Sequence, residues 1–402
     1  MKVLIISQYF WPENFKINDL SEGLSDRGLD ISVLTGKPNY PSGVFFKKYS
    51  FFKRNEEKLN KIKIYRSPLF PRSNGSGFRL FVNYISFAFF ASFRLFFIKQ
   101  KFDKIFVYEP SPITVGIPAI VAKYRFNAPI YFWVQDLWPE SISDAGGIKN
   151  KKVIKFVNEL TKFIYKNCFK ILVQSKAFVP YITKQNINSN KLIYFPNSTE
   201  SFYKVENSNN KYKKLLPNGF KIIFAGNIGE AQSFETIIKS ALYLKNKNIN
   251  INWIILGDGR QKKNIQLNIR KLGMSDSFFF LGSFPTREMP LFFSHADALL
   301  VTLKKSKIFS LTIPNKIQSY MACSKPIIAS IDGEGKNVIV DSKCGYVSPS
   351  EDHILLSKSI IKFMKLSVNE RKIMGLNGRK YFEEQFEREK QLDKLIEIFN
   401  EK

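Results

Sequence analysis

Cysteine, histidine and acidic side chains are scarce in this chain of 402 residues. Three cysteines, Cys168, Cys323 and Cys344, lie far apart in apolar or turn contexts, matching neither a disulfide framework nor a CxxC metal site. A reducing, cytosolic compartment follows. His295 and His353 are the only histidines. A non-hydrolysing sugar epimerase, which needs a denser set of histidines and carboxylates, is poorly matched. No GxGxxG follows the first strand, where the loop reads SQYFWPENFKINDL, so a dinucleotide-binding first domain is disfavoured. The N-terminal apolar run ends at Gln8 and Pro12 and is too brief for the core of a signal peptide. It reads better as a first buried strand.

The acid deficit leaves a net charge of +28, with 62 Lys and Arg against 34 Asp and Glu. Nucleic acid, an anionic lipid surface and phosphorylated small molecules all suit such a balance, while a compositional preference for lysine is its bland explanation. Val44 to Lys104 concentrates the bias, with fourteen basic and three acidic residues among many phenylalanines. No zinc-finger, RRM-like or basic-zipper pattern accompanies it, which counts against nucleic acid. A membrane- or nucleic-acid-binding protein without catalysis stands as the alternative to an enzyme.

Periodicity gives the architecture. Val3 to Ser7 is a continuous apolar strand, Ile17 to Arg27 has helical apolar spacing, and Ile31 to Leu34 is a second strand, together a βαβ opening. Further strands are expected at Ile62 to Tyr65, Lys104 to Tyr108, Ile130 to Val134, Lys170 to Gln174 and Leu192 to Phe195. A polar stretch from Glu206 interrupts the pattern, which restarts with strands at Phe220 to Ala225, Ile251 to Leu256, Phe278 to Leu281, Ala298 to Thr302, Pro326 to Ala329 and Gly345 to Val347. The expectation is α/β: two Rossmann-like, doubly wound domains, 1–205 and 219–379, facing across a cleft and joined by a linker at 206–218. Ligands would sit beyond the carboxyl ends of the strands.

Three strand-to-helix junctions carry the chemistry. In the second domain Gly226, Asn227 and Gly229 follow a strand and precede a helix, where backbone amides can meet a phosphate. LGDGRQKKN repeats the arrangement with Gly257 and Arg260. In LTIPNKIQSYMACSKPII, Thr312 or Asn315 is positioned to cap a helix over Lys316 to Cys323, with Pro314 fixing its start. Lys316 then opposes the helix dipole, so either a bound diphosphate explains it or it is one surface lysine of a lysine-rich chain.

In the first domain Glu13, Asn14 and Lys16 sit beside aromatics after the first strand, as polar contacts for a hydroxyl-rich molecule or as a capped loop. Thr35 to Gly43, with Asn39 and Tyr40, has the composition of any loop. Phe132 to Gly147 presents Gln135, Asp136, Trp138 and Glu140 at a strand end, where carboxylates can hold a sugar or serve an acid–base step. For Glu140 a first-turn helix charge behind Pro139 is the competing reading. Arg79 to Ile98 is strongly apolar, with Arg79, Asn83, Ser86 and Arg94 on one stripe. An in-plane helix touching a membrane and a covering helix of the first domain are both consistent with it.

The motifs FWPENFKINDLSEGL, LTGKPNYPSGVFF, VQDLWPESI, FAGNIGEAQ, FLGSFPTREMP and TIPNKIQSYMACSKPIIAS together resemble the bacterial family 4 glycosyltransferases of the WbuB type, described as L-fucosamine transferases of surface-polysaccharide assembly. The resemblance implies a GT-B fold, no metal or other cofactor, and transfer with retention from a nucleotide sugar, UDP-linked. It implies a lipid-linked acceptor, a polyprenyl-diphosphate saccharide, with the enzyme in the cytoplasm against the anionic inner face of the membrane and no nucleic-acid partner. Lys316, Asp136 and Glu140 become the catalytic candidates. The donor set is Gly226, Asn227, Gln232, Gly257, Arg260, Thr312, Pro314, Asn315, Ser319 and Gln135. The acceptor set is Glu13, Asn14, Lys16, Asn39 and Tyr40, and residues 380–402 should cross back to the first domain.

Two departures qualify it. The Glu, seven residues, Glu pattern of many relatives falls here on Leu311 and Ser319, and their basic pair after the first strand of the second domain falls on Asn227 and Gln232. Lys316 then carries more of the diphosphate charge. Gln135 stands where relatives often have a histidine that contacts a sugar 6-hydroxyl, which implies a 6-deoxy donor.

Overall fold

A computed structural model of the protein describes residues 1–73, 77–144, 150–208 and 211–401. The chain forms two compact units: Met1–Phe195 with the segment from Leu392 onward, and Pro196–Gln391.

The first unit runs β1 (Lys2–Ile6), α1 (Lys16–Asp26), β2 (Asp30–Gly36), β3 (Glu56–Leu59), β4 (Ile62–Ser67), α2 (Gly77–Arg94), β5 (Lys104–Glu109), α3 (Gly116–Phe126), β6 (Ile130–Val134), α4 (Glu140–Asp144), α5 (Lys151–Asn167), β7 (Lys170–Val173), α6 (Val179–Thr183) and β8 (Leu192–Tyr194). Its sheet has the order β3-β4-β2-β1-β5-β6-β7-β8 and is parallel except for the β3–β4 pair. β1 pairs with both β2 and β5, so the chain leaves it in one direction and later returns on its other side. The loops after β1 and β5 therefore part and leave a crevice at the carboxyl ends. Val3 to Ile6 are wholly buried, as an apolar run sandwiched between helices must be.

The second unit runs β9 (Lys221–Ala225), α7 (Phe234–Lys245), β10 (Asn252–Leu256), α8 (Lys262–Lys271), β11 (Phe278–Gly282), α9 (Met289–Phe293), β12 (Ala298–Thr302), α10 (Lys307–Leu311), α11 (Asn315–Ala322), β13 (Ile327–Ser330), α12 (Glu334–Asp341), β14 (Gly345–Ser348), α13 (His353–Met364) and α14 (Val368–Gln385), with α15 (Arg388–Asn400) following. Its sheet is fully parallel in the order β11-β10-β9-β12-β13-β14. Here the switch point lies between β9 and β12. The loops after these two strands frame the second crevice.

Several boundaries differ from the sequence reading. The first unit ends at Phe195, and the expected linker at 206–218 belongs to the second unit. Of that linker, residues 209 and 210 lie outside the described residues, as do 145–147 of the stretch ending at Gly147, and 402. Tyr212 is the reason the stretch is not a free linker, since its ring is buried and stacked on Phe292 at 3.9 Å between centroids. Burying such a side chain stabilises by about 1.5–3 kcal/mol, more than local polarity can offset. The return to the first unit begins at Leu392, not at Lys380, because Phe382 and Phe386 are buried in the second unit's core. Helix α11 begins at Asn315 with Pro314 before it, and no side chain caps it. The hydroxyl of Thr312 instead reaches back to the Phe309 carbonyl at 3.3 Å.

Glycine is required where the β9 and β10 loops meet. Gly257 has φ +132°, and a Cβ there would overlap the carbonyl oxygen of Gly226. Gly257→Ala is expected to destabilise the protein by about 1–3 kcal/mol from the dihedral alone, with the backbone clash adding to it. Urea unfolding measures this, and an unchanged midpoint would contradict the packing described.

Candidate functional site

In the second unit the chain after β9 turns sharply through Gly226 at φ +137°. A Cβ there would lie 2.7 Å from Lys316 Cε and 3.1 Å from Nζ, so a larger residue would displace the tip of the lysine. Lys316 comes from the first turn of α11 and lays its ammonium over the Phe224 ring, 3.7 Å from the centroid. Nζ donates a 2.6 Å hydrogen bond to Gln232 Oε1. The Gln232 carbonyl in turn accepts from the Thr302 hydroxyl at the end of β12, 2.6 Å away. Residues after β9, at the end of β12 and at the head of α11 thus converge on one point.

The electrostatics of that point are unbalanced. Burial pushes the Lys316 ammonium down to about 7. The partners recorded for its Nζ are a neutral amide and an aromatic face. A part-buried lysine with no carboxylate beside it among the described residues, next to the positive end of a helix, is a site for an anion.

The other donor-side residues are distributed as follows. Asn227 is exposed, with its amide against Gly229 and Gly259. Arg260 is exposed in the turn before α8, and Asn315 is exposed at the first position of α11. Ser319 is buried one turn along α11; its hydroxyl meets the Asn315 carbonyl at 3.2 Å and the Thr199 hydroxyl at 3.0 Å. The loop after β13 was missed in the sequence. Gly333, at φ +68°, packs against the backbone of Ser310, and Gly335 packs against Pro314, so this loop supports the residues leading into α11. The signal was IDGEGKN, another glycine-rich strand-to-helix turn.

At the carboxyl ends of the first unit Glu13 is buried, and it works as a clamp between loops. Its Oε1 accepts from the amides of Asn39 at 2.8 Å and Tyr40 at 2.7 Å, and its Oε2 from the Phe10 amide at 3.4 Å. Burial pushes its carboxyl up to about 7, against the pull of those amides. Asn39 is buried too, donating to the Lys37 carbonyl and accepting from the Arg72 amide. Tyr40 is part-exposed, its ring packed against Tyr9 and Phe15 and under the Arg72 guanidinium at 5.1 Å. Asn14 is exposed and Lys16 opens α1.

Asp136 follows β6, half-buried, and burial pushes its carboxyl up to about 7. Behind it Glu109 is fully buried, accepting from Trp138 Nε1 at 3.0 Å and from the Asp136 amide at 3.4 Å. Burial first, and then the Asp136 charge, holds Glu109 well above the carboxylate range. Tyr84 of α2 lies beside Ser111 and Tyr9 near the same acid. Gln135 is buried in this unit, its carbonyl accepting from Gln174, while its Nε2 has no partner among the described residues. Glu140 heads α4, where a carboxylate favours the helix dipole. Glu109, Tyr84 and Arg72 escaped the sequence reading. Only Glu109, ending a strand before a proline, left a trace there.

Residues 206–381 match the family described as glycosyl transferases group 1. Over 80% of its length the chain is 24% identical to the putative colanic acid biosynthesis glycosyl transferase WcaI of Escherichia coli, covering 81% of that protein. Sucrose-phosphate synthase from Thermosynechococcus elongatus superposes with a TM-score of 0.77 at 16% identity, covering 99% of this chain and 98% of that one. HepE from Anabaena, in complex with UDP and glucose, gives 0.69 at 13% identity with both chains covered in full. The fold is GT-B, and residues 206–381 are similar to the group 1 glycosyl transferases.

Proposed function

We propose, from the match of residues 206–381 to the group 1 glycosyl transferases, that this protein moves a sugar from a UDP-sugar to a lipid-linked saccharide during surface-polysaccharide assembly. One observation carries the reading: Lys316 is a part-buried lysine with no carboxylate beside it among the described residues, held where β9, β12 and α11 converge. A diphosphate is the anion that suits it, since leaving-group departure places negative charge within reach of the Lys316 ammonium. The sugar would acquire positive charge and meet an acceptor hydroxyl on the face the diphosphate leaves, giving retention without a metal. The UDP complex of HepE and the colanic acid role in the name of WcaI support the donor class and the pathway type. Gln135 in place of a 6-hydroxyl contact favours a 6-deoxy amino sugar such as N-acetyl-L-fucosamine. Equal turnover of UDP-N-acetylglucosamine and a 6-deoxy donor would overturn that choice. A lipid-linked acceptor places the enzyme at the cytoplasmic face of the membrane.

Titration calorimetry with UDP tests the site. Because Lys316 is pushed down to about 7, the free protein holds it mostly neutral at pH 8. A diphosphate favours the charged form, so binding at pH 8 should take up close to one proton, and affinity should fall about tenfold per pH unit above 7. The sign for stability is opposite. The unfolded chain binds the extra proton between about pH 7 and the ordinary lysine range, so the free protein gains stability as pH rises through that window. UDP binding whose heat is independent of buffer ionisation would remove Lys316 from the diphosphate site.

A further inference from the structure

α2 faces the wrong way for a helix of a water-soluble unit. Its buried side carries Asn83 and Ser86 alongside Phe87, Ala88 and Ala91. Asn83 is satisfied there by Gln8 at 2.7 Å and by the Phe70 carbonyl at 2.6 Å. Its outer side carries Phe78, Phe81, Ile85, Phe89, Phe93 and, just past the helix, Phe96, each 41–76% exposed. These positions step by three or four residues and form one continuous stripe. Phe52, at 82% exposed, extends the patch through Phe51, whose ring meets Phe70 and Phe90. An apolar surface of this extent marks an interaction site.

Charge around the stripe selects the partner. Lys53, Arg54, Arg79, Lys99 and Lys101 are exposed close to it in sequence. The three acids between Val44 and Lys104 are all engaged: Glu56 with Arg94 at 2.7 Å, Glu57 with Arg66 and with Arg54 at 3.8 Å, and Asp103 with the Lys2 amide at 2.6 Å, which leaves Lys53, Arg79, Lys99 and Lys101 outside these pairs. Aromatics bounded by an excess of cations match an anionic lipid interface. The span Gly77–Phe97 is also long and apolar enough to cross a bilayer. One side of it, however, is packed on α3 and β4 with buried polar side chains, so lipid cannot surround it.

We propose that α2 lies in the plane of an anionic membrane, with its phenylalanine stripe in the acyl boundary and the flanking lysines and arginines at the headgroups. The adjoining Tyr84 contacts Ser111 and Tyr9 at the carboxyl ends of β5 and β1. The same helix therefore puts the acceptor-side crevice beside the lipid surface. That last step rests on the sugar-transfer reading, whereas the docking does not.

Co-sedimentation with vesicles tests it. The full chain should pellet with mixed phosphatidylglycerol and phosphatidylcholine vesicles, and far less with phosphatidylcholine alone or at high salt. Phe81→Ser/Phe89→Ser/Phe93→Ser should weaken binding more than about tenfold. The far-ultraviolet circular dichroism and melting temperature of this variant should stay at the wild-type values, which verifies folding and keeps this test separate from the transfer reading. Wild-type vesicle binding by the triple variant would overturn the proposal. So would a dimer in light scattering that the triple variant dissolves without any vesicle binding by the wild type, since a second copy would then be the occupant.

Discussion

Lys316→Ala is expected to lower the rate of sugar transfer more than about a hundredfold, the scale seen when a preorganised donor to a developing anion is removed. Its fold should survive. The ammonium is desolvated and pushed down to about 7, so deleting it removes an unfavourable burial and leaves only Gln232 Oε1 without its donor. Lys316→Met is the sharper variant, because it keeps an apolar stem over Phe224 while removing the charge. The two variants should lose activity alike. If methionine retained near-normal turnover, packing against Phe224 would be the role of this side chain and the anion site would lie elsewhere.

Asp136→Asn is expected to reduce turnover about a hundredfold, at the lower end of what a positioned acid or base contributes. The wild-type rate should fall as pH drops below about 7, where this carboxylate takes up its proton, and the variant should lose that acidic limb. Stability moves the other way. With its folded pKa raised, Asp136 binds a proton that the unfolded chain releases between the ordinary aspartate range and about pH 7. Stability from this group is full at low pH and is lost as pH rises through that window, so the asparagine variant should melt higher than wild type at pH 8. A variant that is less active and no more stable at pH 8 would indicate that Asp136 supports the fold. Burial alone raises Asp136, whereas Glu109, wholly buried behind it, is raised by burial and then by the Asp136 charge.

Sequence and structure agree best where burial on both faces of a sheet leaves an unbroken apolar run. Ile130–Val134 and Ala298–Thr302 are strands at the limits their sequences suggested. Glu56–Leu59 was invisible, because a short charged edge strand has neither an apolar run nor alternation and exists only through its antiparallel pairing with β4. The donor-side junctions were readable as glycine-rich turns, but that the Gly226 turn makes room for Lys316 depends on a contact between residues ninety apart in sequence. Glu13 and Asn39 have the residue types of a sugar-binding loop. Their side chains turn out to be occupied by backbone amides and carbonyls, which no local pattern reports. Tyr212 and Phe386 show the same limit for boundaries, since a single aromatic anchor decides which core owns a segment of otherwise polar chain.

Helix α15 carries Leu392, Leu395, Ile398 and Phe399 into the core formed by the first strands of the chain, with Phe399 edge-on to Phe106 and Tyr131. The order of synthesis is thereby inverted relative to the order of completion. The sheet of the first unit waits, with one flank of its interior uncovered, until the segment from Leu392 onward has been made. The second unit, built from one uninterrupted stretch, can finish before it.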